Sequence, residues 1–118
     1  MERATLSADK VSPAARDIVA KLHRATVDEV AAAVEKDRIV VVGMAQNPHV
    51  KEARKLLQAA GIAFTYLEYG SYLSKWRQRL AIKLWAGFPT FPMVFIDGTL
   101  LGGASELRKL QKEGKLTP

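Results

Sequence analysis

Gln46, Asn47, Pro48 and His49 stand where an apolar run ending at Gly43 gives way to a helical pattern. A strand-to-helix junction aims free backbone N–H groups and the positive end of the helix dipole at whatever occupies it. The chemistry such a place favours is that of an anion, a thiolate or a phosphate above all. Yet the 118-residue chain contains no cysteine, which excludes disulfides, thiolate metal centres and any mechanism with a protein thiol nucleophile. Asn47 is a strong helix-capping type, and Pro48 suits the first helical position. Asn47 therefore reads either as a plain cap or as a cap whose amide also faces a bound thiol or peptide. His49 reads as a surface residue that acts as a base only with a substrate beside it, since the sequence offers no obvious orienting carboxylate. His23 reads as structural.

The chain carries 18 Lys and Arg against 12 Asp and Glu, a net charge of +6. The excess is not uniform. Residues 1–38 are balanced, with seven basic and seven acidic side chains, whereas residues 71–118 hold eight against three. That segment is either a solvated basic face or an attractor of an anionic ligand or partner. No nucleic-acid-binding motif is present, so nucleic acid is not expected as a partner. No apolar run approaches the length of a membrane span and the first residues lack a secretory signal, so no membrane partner is expected and the cytoplasm is the expected compartment.

The elements that must position these residues follow from capping and periodicity. Residues 1–11 are polar and read as a frayed end. In "SPAARDIVAKLH", Ser12 caps and Pro13 begins a helix; in "TVDEVAAAVEKD", Thr26 and Glu29 have capping-box spacing and Val27, Val30 and Val34 share a face. These are two short helices or one bent one. "RIVVVG" reads as a strand buried on both faces. The helix after Asn47 buries Val50, Ala53, Leu56, Leu57 and Ala60 and ends at Gly61. "IAFTYLEY" is a second strand, and "YLSKWRQRLAIKLWAG" a third helix of the region. Its Leu73, Trp76, Leu80 and Leu84 are expected in the core, and its Lys75, Arg79 and Lys83, four residues apart, on one face. "PMVFIDGTLLGG" is a hairpin turning at Asp97-Gly98, and "ASELRKLQKEGKL" a last amphipathic helix. The order implies an α/β fold with a mixed sheet covered by helices.

The stretch "WAGFPTFPMVFIDGTLLGGASEL", with Phe88-Pro89-Thr90-Phe91-Pro92 and Gly102-Gly103, resembles the second half of a glutaredoxin, especially of the monothiol-like branch. Upstream, residues 39–69 resemble that family's first strand, active-site loop, helix and second strand. The resemblance covers about residues 26–116. It implies a thioredoxin-like fold with a central mixed four-stranded sheet flanked by helices. It also implies a glutaredoxin-like domain over 26–118, preceded by a partly helical extension over 1–25. In the family the loop carries a cysteine motif that serves glutathione-dependent thiol–disulfide exchange and cell redox homeostasis. Here those four positions are Asn47, Pro48, His49 and Val50, so the nucleophile and resolving positions, Asn47 and Val50, are degenerate and no catalytic residue or metal ligand is expected. The resemblance further implies a cis peptide before Pro92, with Phe91 offering its backbone to glutathione or an extended peptide. Arg79 would pair with a ligand carboxylate, and Gly102 and Gly103 would offer N–H groups to another. Two departures lower the implied affinity for glutathione: Met44 replaces the family's lysine, and Ser105 its aspartate.

Three functions remain open on these residues. The first is a non-redox module that binds glutathione, a peptide or a protein partner through the groove formed by Asn47, His49, Arg79, Phe91, Pro92, Gly102, Gly103 and Ser105. The second is a glutathione-using, transferase-like enzyme that activates the thiol of bound glutathione. The third is a structural or assembly role carried by residues 1–25.

Overall fold

The computed structural model describes residues 3–118 of the chain. After a short 3-10 turn at Ala8–Lys10 the elements run α1 (Pro13–Lys21), α2 (Arg24–Lys36), β1 (Ile39–Gly43), α3 (Pro48–Ala59), β2 (Thr65–Glu68), α4 (Trp76–Ala86), β3 (Met93–Ile96), β4 (Thr99–Gly102) and α5 (Ala104–Lys112). The expectation for residues 1–11 falls partly on Met1 and Glu2, which lie outside the described residues. The sheet has the order β2-β1-β3-β4. Strand β1 runs parallel to β2 and antiparallel to β3, and β3 and β4 form the hairpin. This is the mixed four-stranded sheet expected from the sequence.

Every residue of β1 is buried. Val40 and Val42 point to one face, where they meet Val30 and Val34 of α2, Ile82 of α4, and Phe91, Met93 and Phe95. Ile39 and Val41 point to the other, against Ala53 and Leu57 of α3 and Leu107 of α5. A strand with period-two side chains and no polar face must be covered twice, and the two helical layers do so.

Local capping places the helix starts. The Ser12 hydroxyl accepts the Ala15 N–H at 3.1 Å, as its position before Pro13 requires. The expected capping box at Thr26 and Glu29 does not form. Helix α2 begins earlier, at Arg24, and the Glu29 carboxylate instead accepts the hydroxyl of Tyr69, forty residues on. The helix expected from Tyr72 likewise starts only at Trp76. Upstream of it the Ser71 N–H donates to the Ser74 hydroxyl at 3.1 Å and the Leu73 N–H to the Ser71 hydroxyl at 3.2 Å. These side chains offer the backbone an alternative to the helix and hold a turn. Lys75 precedes the helix in the left-handed region, so it does not share a helical face with Arg79 and Lys83.

Arg79 fastens this turn to the fold. It is only 8% exposed, and its Nη1 donates to the carbonyls of Tyr69 at 3.0 Å and Ser74 at 2.5 Å. Arg79→Ala leaves both carbonyls without their charged donor and is expected to lower stability by roughly 1.5–3 kcal/mol, read from a shift in the urea midpoint.

Two tyrosines give the fold an alkaline limit. Burial, and then the hydrogen bond and negative charge of Glu68, push the Tyr66 phenol up to about 12 from its ordinary 10.0. Burial and the Glu29 carboxylate raise that of Tyr69 as well. Both shifts favour the neutral phenol in the folded state. Their stabilisation is complete below the unfolded value near 10 and is lost as pH rises through the folded values. The urea midpoint should therefore fall as pH climbs from about 10 toward 12, and Tyr69→Phe should flatten that fall.

Candidate functional site

Three connections meet at one end of the sheet: the β1–α3 junction, the turn between α4 and β3, and the start of α5. Together they enclose a cleft of about 610 Å³. Asn47, His49, Arg79, Phe91, Pro92, Gly103 and Ser105 all line it, with Met44 and Lys83. Gly102 does not. Tyr72, Phe88, Glu106 and Arg108 line it too, and sequence reasoning missed them.

At the first wall, the Asn47 side chain is almost wholly buried. Its Oδ1 accepts the N–H of His49 at 2.9 Å and that of Val50 at 3.1 Å. These are the donors that a helix start offers to an anion, and the carboxamide oxygen already fills the place. What Asn47 has left for a ligand is its amide N–H₂, a donor and not an acceptor. Val50 is buried against β1 and takes no part in the cleft surface.

The second wall is the turn Phe88–Pro92. The Phe91–Pro92 peptide is cis. Phe91 is buried, and the Lys83 ammonium sits 5.6 Å from its ring centre, so a cation lies against the turn. Arg79 borders the same wall, but its Nη1 is committed to the Tyr69 and Ser74 carbonyls. Of the two lining cations on α4, Lys83 is the one without such a commitment.

At the third wall, the Gly103 N–H donates to the Glu106 carboxylate at 2.7 Å, a link that the three-residue spacing of a capping box foretells. A donor that the family resemblance assigns to a ligand carboxylate is thus engaged from within the chain. Gly102 has φ +136, and a Cβ there would stand 2.5 Å from the Glu106 Oε1; at Gly103 it would stand 3.3 Å from the Pro92 carbonyl oxygen. Gly102, behind the cleft, is held to glycine by its positive φ and the close approach of Glu106, whereas at Gly103 a Cβ would need the Pro92 carbonyl to give by only a few tenths of an ångström. Ala104 and Ser105 line this wall, and their N–H groups, in the first turn of α5, have no intrahelical acceptor. Arg108, one turn on, pairs with Glu52 of α3 at 3.2 Å and closes the cleft at that side. Three basic side chains and one carboxylate line the whole, which makes the cleft a host for negative charge.

No family model matches the sequence. Individual relatives do. A glutaredoxin-like protein of Dictyostelium discoideum is 52% identical over 94 residues, spanning 80% of this chain and 76% of that protein. Glutaredoxin-C2 of Arabidopsis thaliana is 31% identical over 85 residues, 72% and 77% of the two chains. Among solved structures, a buckwheat glutaredoxin–glutathione complex superposes with TM-score 0.67 at 22% identity, over 79% of this chain and 84% of that one. Reduced glutaredoxin C1 of Populus tremula x tremuloides superposes with TM-score 0.70 at 20% identity, over 82% and 83%. The structural likenesses speak for the fold, and with the sequence relatives and the three-walled cleft they lead to one conclusion: this cysteine-free chain belongs to the glutaredoxin family.

Proposed function

We propose that the protein is a non-redox binding module whose cleft holds an extended, carboxylate-bearing peptide, with glutathione or a segment of a protein partner as the occupant. One observation carries the reading. Asn47 supplies from within the chain the acceptor that a reactive thiolate would supply at the start of α3. An enzyme that activates the thiol of bound glutathione needs those two N–H groups free for the incoming sulfur, so the same observation speaks against the transferase-like reading. What remains suits recognition: the cis Phe91–Pro92 turn, the Ala104 and Ser105 N–H groups and the Lys83 ammonium. The buckwheat relative was solved with glutathione, which makes that tripeptide the first probe.

Calorimetric titration with reduced and with oxidised glutathione tests the reading. Binding is expected to depend on Lys83, with Lys83→Ala weakening it and the weakening fading as salt rises toward about 1 M, where screening acts within a few ångström. Equal binding by wild type and Lys83→Ala at low salt would place the ligand elsewhere. The purified chain should also show no glutathione-dependent disulfide reductase activity above background.

Restoring a thiol is the complementary experiment. In Asn47→Cys the new sulfur meets the His49 and Val50 N–H groups, and its pKa should fall well below the ordinary value of about 8.5. Absorbance of the thiolate against pH measures it. Asn47→Ala removes the cap and should cost about 1 kcal/mol of stability, read from chemical denaturation.

A further inference from the structure

Helix α4 has apolar residues on two opposite faces. Ala81 and Ile82 are buried against the sheet beside Arg79. Trp76, Leu80 and Leu84 lie four residues apart, each turned only about 40° from the last, and form a stripe on the outer side. The expectation that they are core is thereby corrected: Trp76 is 58% and Leu84 51% exposed, and Leu73, in the turn before the helix, is 97% exposed. Periodicity cannot say which of two apolar faces the sheet takes, and here Arg79 and Ile82 claim the inner one. A helix apolar on all sides is normally covered on all sides. Among the described residues this outer stripe is covered only in part: Trp76 is the most open, and Leu84 borders a groove lined by α1 and α2.

The charge on the stripe's own segment is of one sign, while at its Leu84 end Asp28 of α2 borders the same groove and pairs with Arg24 at 3.7 Å. Lys75 and Arg77 are exposed, and the Arg77 guanidinium stands 5.2 Å from the centre of the Trp76 ring. No Asp or Glu occurs from Tyr69 to Ile96. Two copies meeting through this face would oppose Lys75 and Arg77 to their own kind, so a second copy is disfavoured. The counterpart must be both apolar and anionic. Shape then decides its class. Leu73, Trp76 and Leu80 line neither the cleft nor the 280 Å³ groove beside Leu84 and Trp85. Leu73, 97% exposed, and Trp76, 58% exposed, protrude; a protein would have to present a matching hollow for them, whereas the headgroup region of a bilayer yields to protruding side chains. Leu, Trp and Tyr are the types that settle at that depth, with Lys and Arg against anionic lipid.

We propose that Tyr72, Leu73, Trp76, Leu80 and Leu84, with Lys75 and Arg77, form a docking surface for an anionic bilayer, with α4 lying in the plane of the headgroups. No helix among the described residues is long and apolar enough to cross a membrane. A bilayer-docking surface departs from the sequence expectation of no membrane partner, which rested on the lack of a spanning run and of a secretory signal. Tyr72 also lines the cleft, so docking brings the cleft mouth to the lipid boundary. Leu73, Trp76, Leu80 and Leu84 do not line the cleft, so the test through them does not depend on what the cleft holds.

Flotation of the full chain with vesicles tests this. In about 0.1 M salt, the chain should float with vesicles of phosphatidylcholine containing phosphatidylglycerol and not with phosphatidylcholine alone. Its tryptophan emission should move to the blue on binding. Leu73→Ser, at a position with almost no neighbours to lose, should keep the wild-type melting temperature and lower affinity for anionic vesicles roughly tenfold. Arg77→Gln should weaken binding less, and salt should erase the difference from wild type. Failure to float with anionic vesicles would overturn the proposal and leave an acidic protein as the counterpart. Wild-type binding by a Leu73→Ser, Leu80→Ser double variant would overturn it too, since net charge alone would then account for the attraction.

Discussion

A strand buried on both faces is the constraint from which the architecture follows. With all of Ile39–Gly43 sealed from water, the sheet needs a helical layer on each side, and the alternation of β1 assigns them. Val40 and Val42 require α2 and α4; Ile39 and Val41 require α3 and α5. Each fully buried aliphatic side chain contributes about 1.5–3 kcal/mol, so a charge on either face of β1 would remove more stability than any surface change could. The cleft exists because three connections leave this sealed sheet at the same end, and its walls inherit the rigidity of the layers behind them.

Within that frame, the chemistry of the site is decided by how backbone donors are distributed. A helix start supplies N–H groups that want an acceptor, and the chain provides one internally at both starts that face the cleft. Asn47 does so for α3, and Glu106 answers the Gly103 N–H just before α5. The donors so engaged are the His49 and Val50 N–H groups and that of Gly103, while the Ala104 and Ser105 N–H groups of the first turn of α5 keep no intrahelical acceptor. Side chains add positive charge to the cleft, and of the two cations that α4 contributes, Lys83 is the one not held by backbone carbonyls.

Local signals were read correctly where the physics is local. Ser12 before Pro13 and Asn47 before Pro48 cap helices through bonds that span two or three residues, and the sequence spacing contains the whole interaction. The both-face burial of β1 was legible for the same reason, and most of the cleft followed from the family pattern around Pro92 and Gly103. Misreadings arose where a distant partner recruits a side chain. Glu29 has the spacing of a capping box, yet Tyr69 takes its carboxylate from across the fold. Arg79 looked like an outward cation, and its fork is drawn inward by two carbonyls of a turn that Ser71 and Ser74 tighten. Tyr72 reaches the cleft only because that turn exists, so no periodicity could have announced it.

Tyr69 holds three directions at once. Its N–H reaches the Gly43 carbonyl at 2.9 Å, its carbonyl takes Arg79, and its hydroxyl reaches Glu29. The chain is therefore clamped immediately before the turn, and clamped again at its far side where Ser74 meets Arg79. Between the clamps, Tyr72 and Leu73 form an exposed apex carrying no part of the core. Such an apex can be lengthened, shortened or rewritten without transmitting strain to the sheet. The turn thus separates two duties: Gly70, Ser71 and Ser74 keep its shape, and the two apex side chains are free to serve contact while the clamps keep the cleft behind them in register.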